Sequence, residues 1–236
     1  MLSVNQMSCS VKSQFLSFLF SVFLLAGCQT GENNLGAINP EMGLGLISAS
    51  IIEYPPGAPK IISNYKSMVG VNGGRRPALH QGIDIIGPNR QPVLAVADGK
   101  VLEATVEKCW GPTIAIDHGK AFDGGKLVAL YGHVGEMLVS EGDRVERGEL
   151  IARLSNNQGK FKCIGGIRHL HFQLGQQYRK KNDKGTAWGH SFFLYDGGKG
   201  INPHLLWADG PNKVTCFESS RNYKAGTLTY PFPCNK

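Results

Sequence analysis

A chain of 236 residues, 42% hydrophobic and 18% charged, has room for one large or two small domains and is too apolar for a disordered polymer. Its formal net charge of +7 favours an anionic partner over a basic one. The 31 glycines fall between short apolar runs, and no segment sustains a long amphipathic helical period, which points to many strands joined by tight turns.

In chain order, the first feature is "VKSQFLSFLFSVFLLAGC", with one charge at Lys12 and an apolar run from Phe15 to Ala26. The run has the length of a signal-peptide core and is short for a finished membrane span. It ends in Leu25-Ala26-Gly27-Cys28, which resembles the lipobox of bacterial lipoproteins. That resemblance implies a signal peptide over 1–27 and a lipidated Cys28. The next residue is Gln29 and not Asp, which by resemblance to enterobacterial sorting implies an outer-membrane anchor facing the periplasm. With only Lys12 charged in the signal, the exported part carries 7 − 1 = +6. In that compartment cell-wall polymer or lipid headgroups are the expected anionic partners, and nucleic acid is not.

Residues 28–60 are Gly-, Asn- and Pro-punctuated and read as a flexible tether. Strand candidates then follow one another: "QPVLAVADGKVLEATV", read as a hairpin around Asp98-Gly99, then "GPTIAIDHG", "KLVALYGHV", "ELIARLS" and "RHLHFQL". "YRKKNDKG" reads as a solvated loop. "INPHLLWAD" predicts a short helix capped by Asn202 with Pro203 at its first position. Residues 211–236 read as a disulfide-clasped extension. Cys9 leaves with the signal and Cys28 takes lipid, so Cys109, Cys163, Cys216 and Cys234 remain, an even set in an oxidising compartment. Three pairings are open. The favoured one joins Cys216 to Cys234, closing a short C-terminal loop, and Cys109 to Cys163.

The chemistry-bearing residues are His80 and Asp84 in "ALHQGIDII", His133 in "LYGHVG", and His169 and His171 in "RHLHFQL". On a strand, positions i and i+2 share a face, so His169 and His171 project side by side. Zinc takes His nitrogen and carboxylate oxygen, and a catalytic site keeps three protein ligands plus an open position. Five such residues supply three ligands and leave two histidines for proton transfer.

The ordered set "HQGIDI", "NRQPVLAVADGKV", "YGHV", "EGDRVERGELI" and "RHLHFQL" resembles the lysostaphin-type (LytM-domain) zinc endopeptidases over roughly residues 65–206. The resemblance implies an all-β fold of mostly antiparallel sheet, built as a sandwich of the duplicated hybrid-motif type with a groove floored by zinc. A peptidase domain over 61–210 follows. By the same resemblance His80, Asp84 and His171 are the metal ligands, and His133 and His169 are the catalytic pair. The implied activity is hydrolysis of peptide stems or cross-bridges of peptidoglycan by a metal-activated water. The alternative is a non-catalytic LytM-type activator of a cell-wall amidase, though such modules lack part of the ligand set and this chain has it all. A regulatory protein is an expected further partner.

Other residues receive structural readings. His118 in "AIDHG" and Tyr131 are expected to pack, His190 and His204 carry no role, and Arg75 and Arg76 in "GGRRPALH" read as solvated loop residues, with lining of the groove mouth as the alternative. The stretch "NNQGKFKCIGGIR", with Cys163 inserted, departs from the Gly/Ser-rich turn of the family. A Cys109–Cys163 bridge would pin it as one rim of the groove, and the long segment 175–200 would build another wall.

Overall fold

The alternation of buried and outward residues in short runs produces strands and almost nothing else. The computed structural model describes residues 51–179, 194 and 200–235. The expected signal, Cys28, the tether up to residue 50, His190 and most of the "YRKKNDKG" run lie outside the described residues, as does most of 175–200. In order, the strands are β1 (Ile61–Ser63), β2 (Gly82–Ile86), β3 (Pro92–Leu94), β4 (Gly99–Glu107), β5 (Gly111–Lys120), β6 (Lys126–Gly132), β7 (Glu136–Met137), β8 (Arg144–Val145), β9 (Leu150–Arg153) and β10 (His169–Gly175).

Seven of them form one sheet in the order β1-β2-β10-β6-β5-β4-β8, and a three-stranded sheet has the order β3-β9-β7. Every strand pairing is antiparallel, so the expected all-β, mostly antiparallel class is what the chain forms. The chain-distant strand β10 lies between β2 and β6, which brings "RHLHFQL" beside "HQGIDI" and "LYGHV".

The main core occupies one face of the large sheet. Ile83 and Ile85 of β2, Ile114 and Ile116 of β5, Ala129 and Tyr131 of β6, and Leu170, Phe172 and Leu174 of β10 all enter it. Those are alternate positions, as the two-residue period of a strand requires. The opposite face carries Asp84, His169, His171 and Gln173 on β2 and β10. It also carries a smaller apolar cluster of Ala115, Val128 and Leu130 with Cys109 and Trp110.

The expected hairpin at Asp98-Gly99 does not form. β3 pairs with β9, and β4 pairs with β5 and β8, so the Asp-Gly step is a corner between two sheets. The local reason is tertiary. Asp98 accepts from the Arg147 backbone N–H through Oδ1, and a Cβ at Gly99 would stand 2.8 Å from the Asp117 carbonyl oxygen.

Both ends of the described chain pack onto the domain. The Glu53 N–H donates to Asn212 O, and the Val214 N–H donates to Glu53 O. Ile52 and Ala58 pack against the core, to which Trp207, Val214, Leu228, Tyr230 and Phe232 also belong. The expected short helix is a single 3-10 turn, Pro203–Leu205, with Asn202 as its cap accepting from the His204 N–H. Disulfides join Cys109 to Cys163 and Cys216 to Cys234, the favoured pairing.

Candidate metal centre

Strand register assembles the site. In β10 against β2, His171 stands directly across from Asp84; in β10 against β6, His171 stands across from Gly132, the residue before His133. His80 sits just ahead of β2, four residues before Asp84. His171 Nδ1 lies 2.8 Å from Asp84 Oδ1, and His80 Nε2 lies 3.1 Å from the same oxygen and 3.1 Å from His171 Nδ1. One ligand atom from each of the three lies within 4.8 Å of the others, and all three residues are buried.

The outer ring atoms fix the tautomers. A carbonyl oxygen only accepts, so His80 Nδ1, 3.0 Å from Asn64 O, carries its hydrogen, and His171 Nε2 donates to Gln173 Oε1 at 3.1 Å. That leaves His80 Nε2 and His171 Nδ1 bare, facing each other and a carboxylate oxygen. Three buried acceptors converge with no hydrogen among them. A divalent cation resolves that convergence, and two imidazoles with a carboxylate suit zinc, so the donor set fits the implied metal. Burial alone would raise the Asp84 pKa. Against protonated His171 and His80, whose hydrogen bonds and charge outweigh burial, the carboxyl is held well below its usual range, so Asp84 stays an acceptor.

Two further histidines flank this trio. His133 Nδ1 is 2.8 Å from Trp110 O and His169 Nδ1 is 2.7 Å from Ile167 O, so each donates there and keeps Nε2 bare. His169 Nε2 is 3.8 Å from Asp84 Oδ1. The ring centroids of His133 lie 5.0 Å from His169 and 5.8 Å from His171. Burial, reinforced by the neighbouring His169 and His171, pushes the His133 pKa well below the usual imidazole value. Burial likewise lowers His171, against the opposing pull of Asp84. His133 has φ = 66°, a left-handed conformation rare outside glycine.

All five residues singled out in the sequence are therefore brought to one place, His80, Asp84 and His171 as a converging trio and His133 and His169 beside them. Sequence reasoning missed four others. Arg76 is not a solvated loop residue: its Nη2 lies 2.6 Å from Asp84 Oδ2 and also donates to Ser63 Oγ at 3.2 Å. It occupies the carboxylate oxygen turned away from His171. Trp110 packs edge-on to His171 and His133, with centroids 4.7 and 5.4 Å away. A Cβ at Gly132 would meet its Cε3 at 2.9 Å, so only glycine lets the indole lie there. Asn64 and Gln173 supply the acceptors that set the ligand tautomers. The one signal for Gln173 was its place two residues beyond His171, on the same strand face.

His118 and His204 are buried away from the trio, as the structural reading of His118 expected. His118 Nδ1 bonds Asp98 O and its Nε2 meets the Tyr131 hydroxyl. His204 accepts from Trp207 Nε1–H at Nδ1, and its Nε2 donates to Asn64 Oδ1. Asn64 thus links the C-terminal core to ligand His80.

Comparison with known proteins adds a family. Residues 78–184 match the model "Peptidase family M23". Over 102 residues, 42% of this chain and 30% of the relative, the sequence is 34% identical to "Lipoprotein NlpD/LppB homolog" of Pseudomonas aeruginosa. It is 33% identical to "Peptidoglycan DD-endopeptidase ShyA" of Vibrio cholerae over 42% of this chain and 21% of that one. "Glycyl-glycine endopeptidase ALE-1" of Staphylococcus capitis is 30% identical over 60% of this chain and 37% of that one. The chain thus spans only about a fifth to two fifths of these relatives. Among solved structures, the catalytic domain of lysostaphin from Staphylococcus simulans is 22% identical, covering 57% of this chain and 84% of that one, with a TM-score of 0.37.

Proposed function

Because the chain carries a LytM-type domain of peptidase family M23, we propose that it is a zinc-dependent endopeptidase that hydrolyses peptide bonds of bacterial peptidoglycan. The observation that supports this best is the convergence of His80 Nε2, Asp84 Oδ1 and His171 Nδ1, with two more bare imidazole nitrogens beside them. His80, Asp84 and His171 would hold the metal. Zinc, when bound, supplies Lewis acidity to a peptide carbonyl and lowers the pKa of a water from about 15.7 toward about 7.

The chain's own residues supply the rest. His133 and His169 present Nε2 as base because their Nδ1–H groups are committed to Trp110 O and Ile167 O. A proton taken at Nε2 is returned to the leaving amine, general acid–base work that is worth about 10²–10⁴-fold. The depressed pKa keeps His133 neutral at neutral pH, with its Nε2 bare. Trp110 excludes water from one side, and Arg76 holds Asp84 so that a single oxygen faces the histidines.

Peptidoglycan is the substrate in this reading because one relative is named as a peptidoglycan DD-endopeptidase and another as a glycyl-glycine endopeptidase. The lipobox-like Cys28 would place the enzyme on a membrane, in keeping with a relative named as a lipoprotein. The second reading, an activator of a separate amidase, comes from the LytM-type resemblance of the sequence motifs. One experiment separates the two. The full-length chain, made in an oxidising compartment and loaded with zinc, is incubated with purified peptidoglycan with and without a chelator, and released fragments are identified by mass spectrometry. Chelator-sensitive release of cleaved peptides is expected. Folded, zinc-loaded protein that releases nothing, yet stimulates an added amidase, would replace the endopeptidase by the activator.

A further inference from the structure

Resting on the peptidase reading, we infer that the Cys109–Cys163 disulfide positions the two proton-transfer histidines and does not take part in holding the metal. The two kinds of histidine lean on different parts of the chain. The metal-side pair leans on Asn64 O and on Gln173 Oε1. Those acceptors sit on segments without a cysteine. The free pair leans on Trp110 O and Ile167 O. Trp110 follows Cys109 directly, and Ile167 lies four residues past Cys163.

The bridge joins those two segments. The turn between β4 and β5 is held on one side by Glu107, whose Oε2 accepts from the Cys109 N–H at 2.8 Å and the Trp110 N–H at 2.6 Å. On the other side the Cys163 N–H donates to Cys109 O at 2.9 Å, alongside the covalent link. The loop from 155 to 168 has no strand partner of its own. Its ties are short-range turns, the Asn157 Nδ2–H bond to Val134 O, the packing of Phe161 over Gly111, and an exposed bond from the Gly166 N–H to Asn72 Oδ1. Arg168 adds bonds to Gly87 O and Asn156 Oδ1. The bridge is the one covalent tie from this loop to the Trp110 turn.

His133 has particular need of it. A non-glycine residue at φ = 66° stays there only when its surroundings over-determine it. The bond from Nδ1 to Trp110 O is the side-chain part of that constraint. With the bridge cut, the Trp110 turn and the 155–168 loop keep only the Cys163 N–H bond to Cys109 O and the packing of Phe161 on Gly111, and the acceptors for both imidazoles are held less firmly. Nε2 of each histidine then loses its aim, while His80 and His171 keep the acceptors Asn64 O and Gln173 Oε1 that set theirs; the Trp110 edge on His171 is the contact they share with that turn.

The test compares the full-length chain with its Cys109→Ala/Cys163→Ala variant and, as control, Cys216→Ala/Cys234→Ala. Three quantities are read on zinc-loaded protein: bound zinc, the imidazole tautomers of His133 and His169 by ¹⁵N NMR, and kcat and KM on peptidoglycan. The first variant is expected to keep stoichiometric zinc but lose the single Nδ1–H tautomer at both histidines. Its kcat should fall about 10²-fold with little change in KM, the scale of a catalytic group displaced by about an ångström. The control should keep zinc, tautomers and kcat. Unchanged tautomers in the first variant would overturn the inference, and so would zinc lost together with them. If that variant does not fold, the wild-type protein reduced by a thiol under native conditions is read in the same way. Unfolding there too would make the bridge a support of the fold and overturn the inference. The tautomer signal needs no hydrolysis, so an inactive wild type with fixed tautomers would fail the peptidase reading alone.

Discussion

At the scale of single residues, what separates the four site histidines is which ring nitrogen each has left bare and what that nitrogen faces. His80 and His171 point theirs at Asp84 Oδ1, 3.1 and 2.8 Å away; His169 stands off at 3.8 Å, and His133 beyond it. Substitution should sort them accordingly. His80→Ala and His171→Ala remove a ligand atom and should abolish stoichiometric zinc. His133→Ala and His169→Ala should keep the metal and lose at least about 10²-fold in turnover, the scale for losing a general acid–base group. Metal analysis of purified variants beside their rates checks this; retained zinc in His171→Ala would break the ligand assignment. These five positions were legible in the sequence because metal and proton chemistry need particular residue types at particular spacings. Arg76, Asn64 and Trp110 were not legible. Asn64 acts largely through its backbone carbonyl, and Arg76 and Trp110 reach the site from loops whose course no periodicity encodes.

At the scale of elements, the site exists because β10 enters the sheet between β2 and β6, and the close fit of β10 on β2 depends on one glycine. A Cβ at Gly82 would stand 2.4 Å from Phe172 O and 3.0 Å from His171 Nε2. The strand backbone of β10 has no room to retreat, since Leu170 and Phe172 are buried in the main core on its other face. Gly82→Ala should therefore cost about 1–3 kcal/mol, the usual range for overpacking, and should weaken zinc binding by pushing His171 away from Asp84. Denaturant midpoints and chelator competition measure the two effects. A variant as stable and as tight as wild type would mean that β2 and β10 do not pack in this register. The alternation in "RHLHFQL" revealed which side chains share a face. It could not reveal which strands flank it, because pairing over some ninety residues of separation is decided by the whole core. The same limit explains Asp98-Gly99, whose local chemistry favours a hairpin but whose flanking strands go to different sheets.

At the scale of the whole molecule, the fold keeps its described histidines indoors, and that makes it acid-labile. His118 and His204, at different places in the core, are each pushed down to about 4, with burial the leading cause. The hydrogen bonds show why His204 resists a second proton: Nδ1 already accepts from Trp207 Nε1–H while Nε2 donates to Asn64, so a protonated ring would set one N–H against another. Between about pH 6.5 and about pH 4 the unfolded chain binds protons at these two sites and the folded one does not, so stability falls as pH falls through that window. Above it the contribution is fully present. A shift from 6.5 to about 4, at about 1.4 kcal/mol per unit, amounts to about 3 kcal/mol for each group. Urea titrations of the chelated protein should show midpoints that decline steadily across the window. His204→Gln keeps an acceptor for Trp207 and a donor for Asn64 but has no proton to gain, so its decline should be shallower by up to one proton's worth of slope. Parallel curves for the variant and the wild type would mean that His204 is protonated in the folded state. The bond to Asn64 would then persist, but Trp207 would have lost its acceptor, and the link from the C-terminal core to His80 would rest on Asn64 alone.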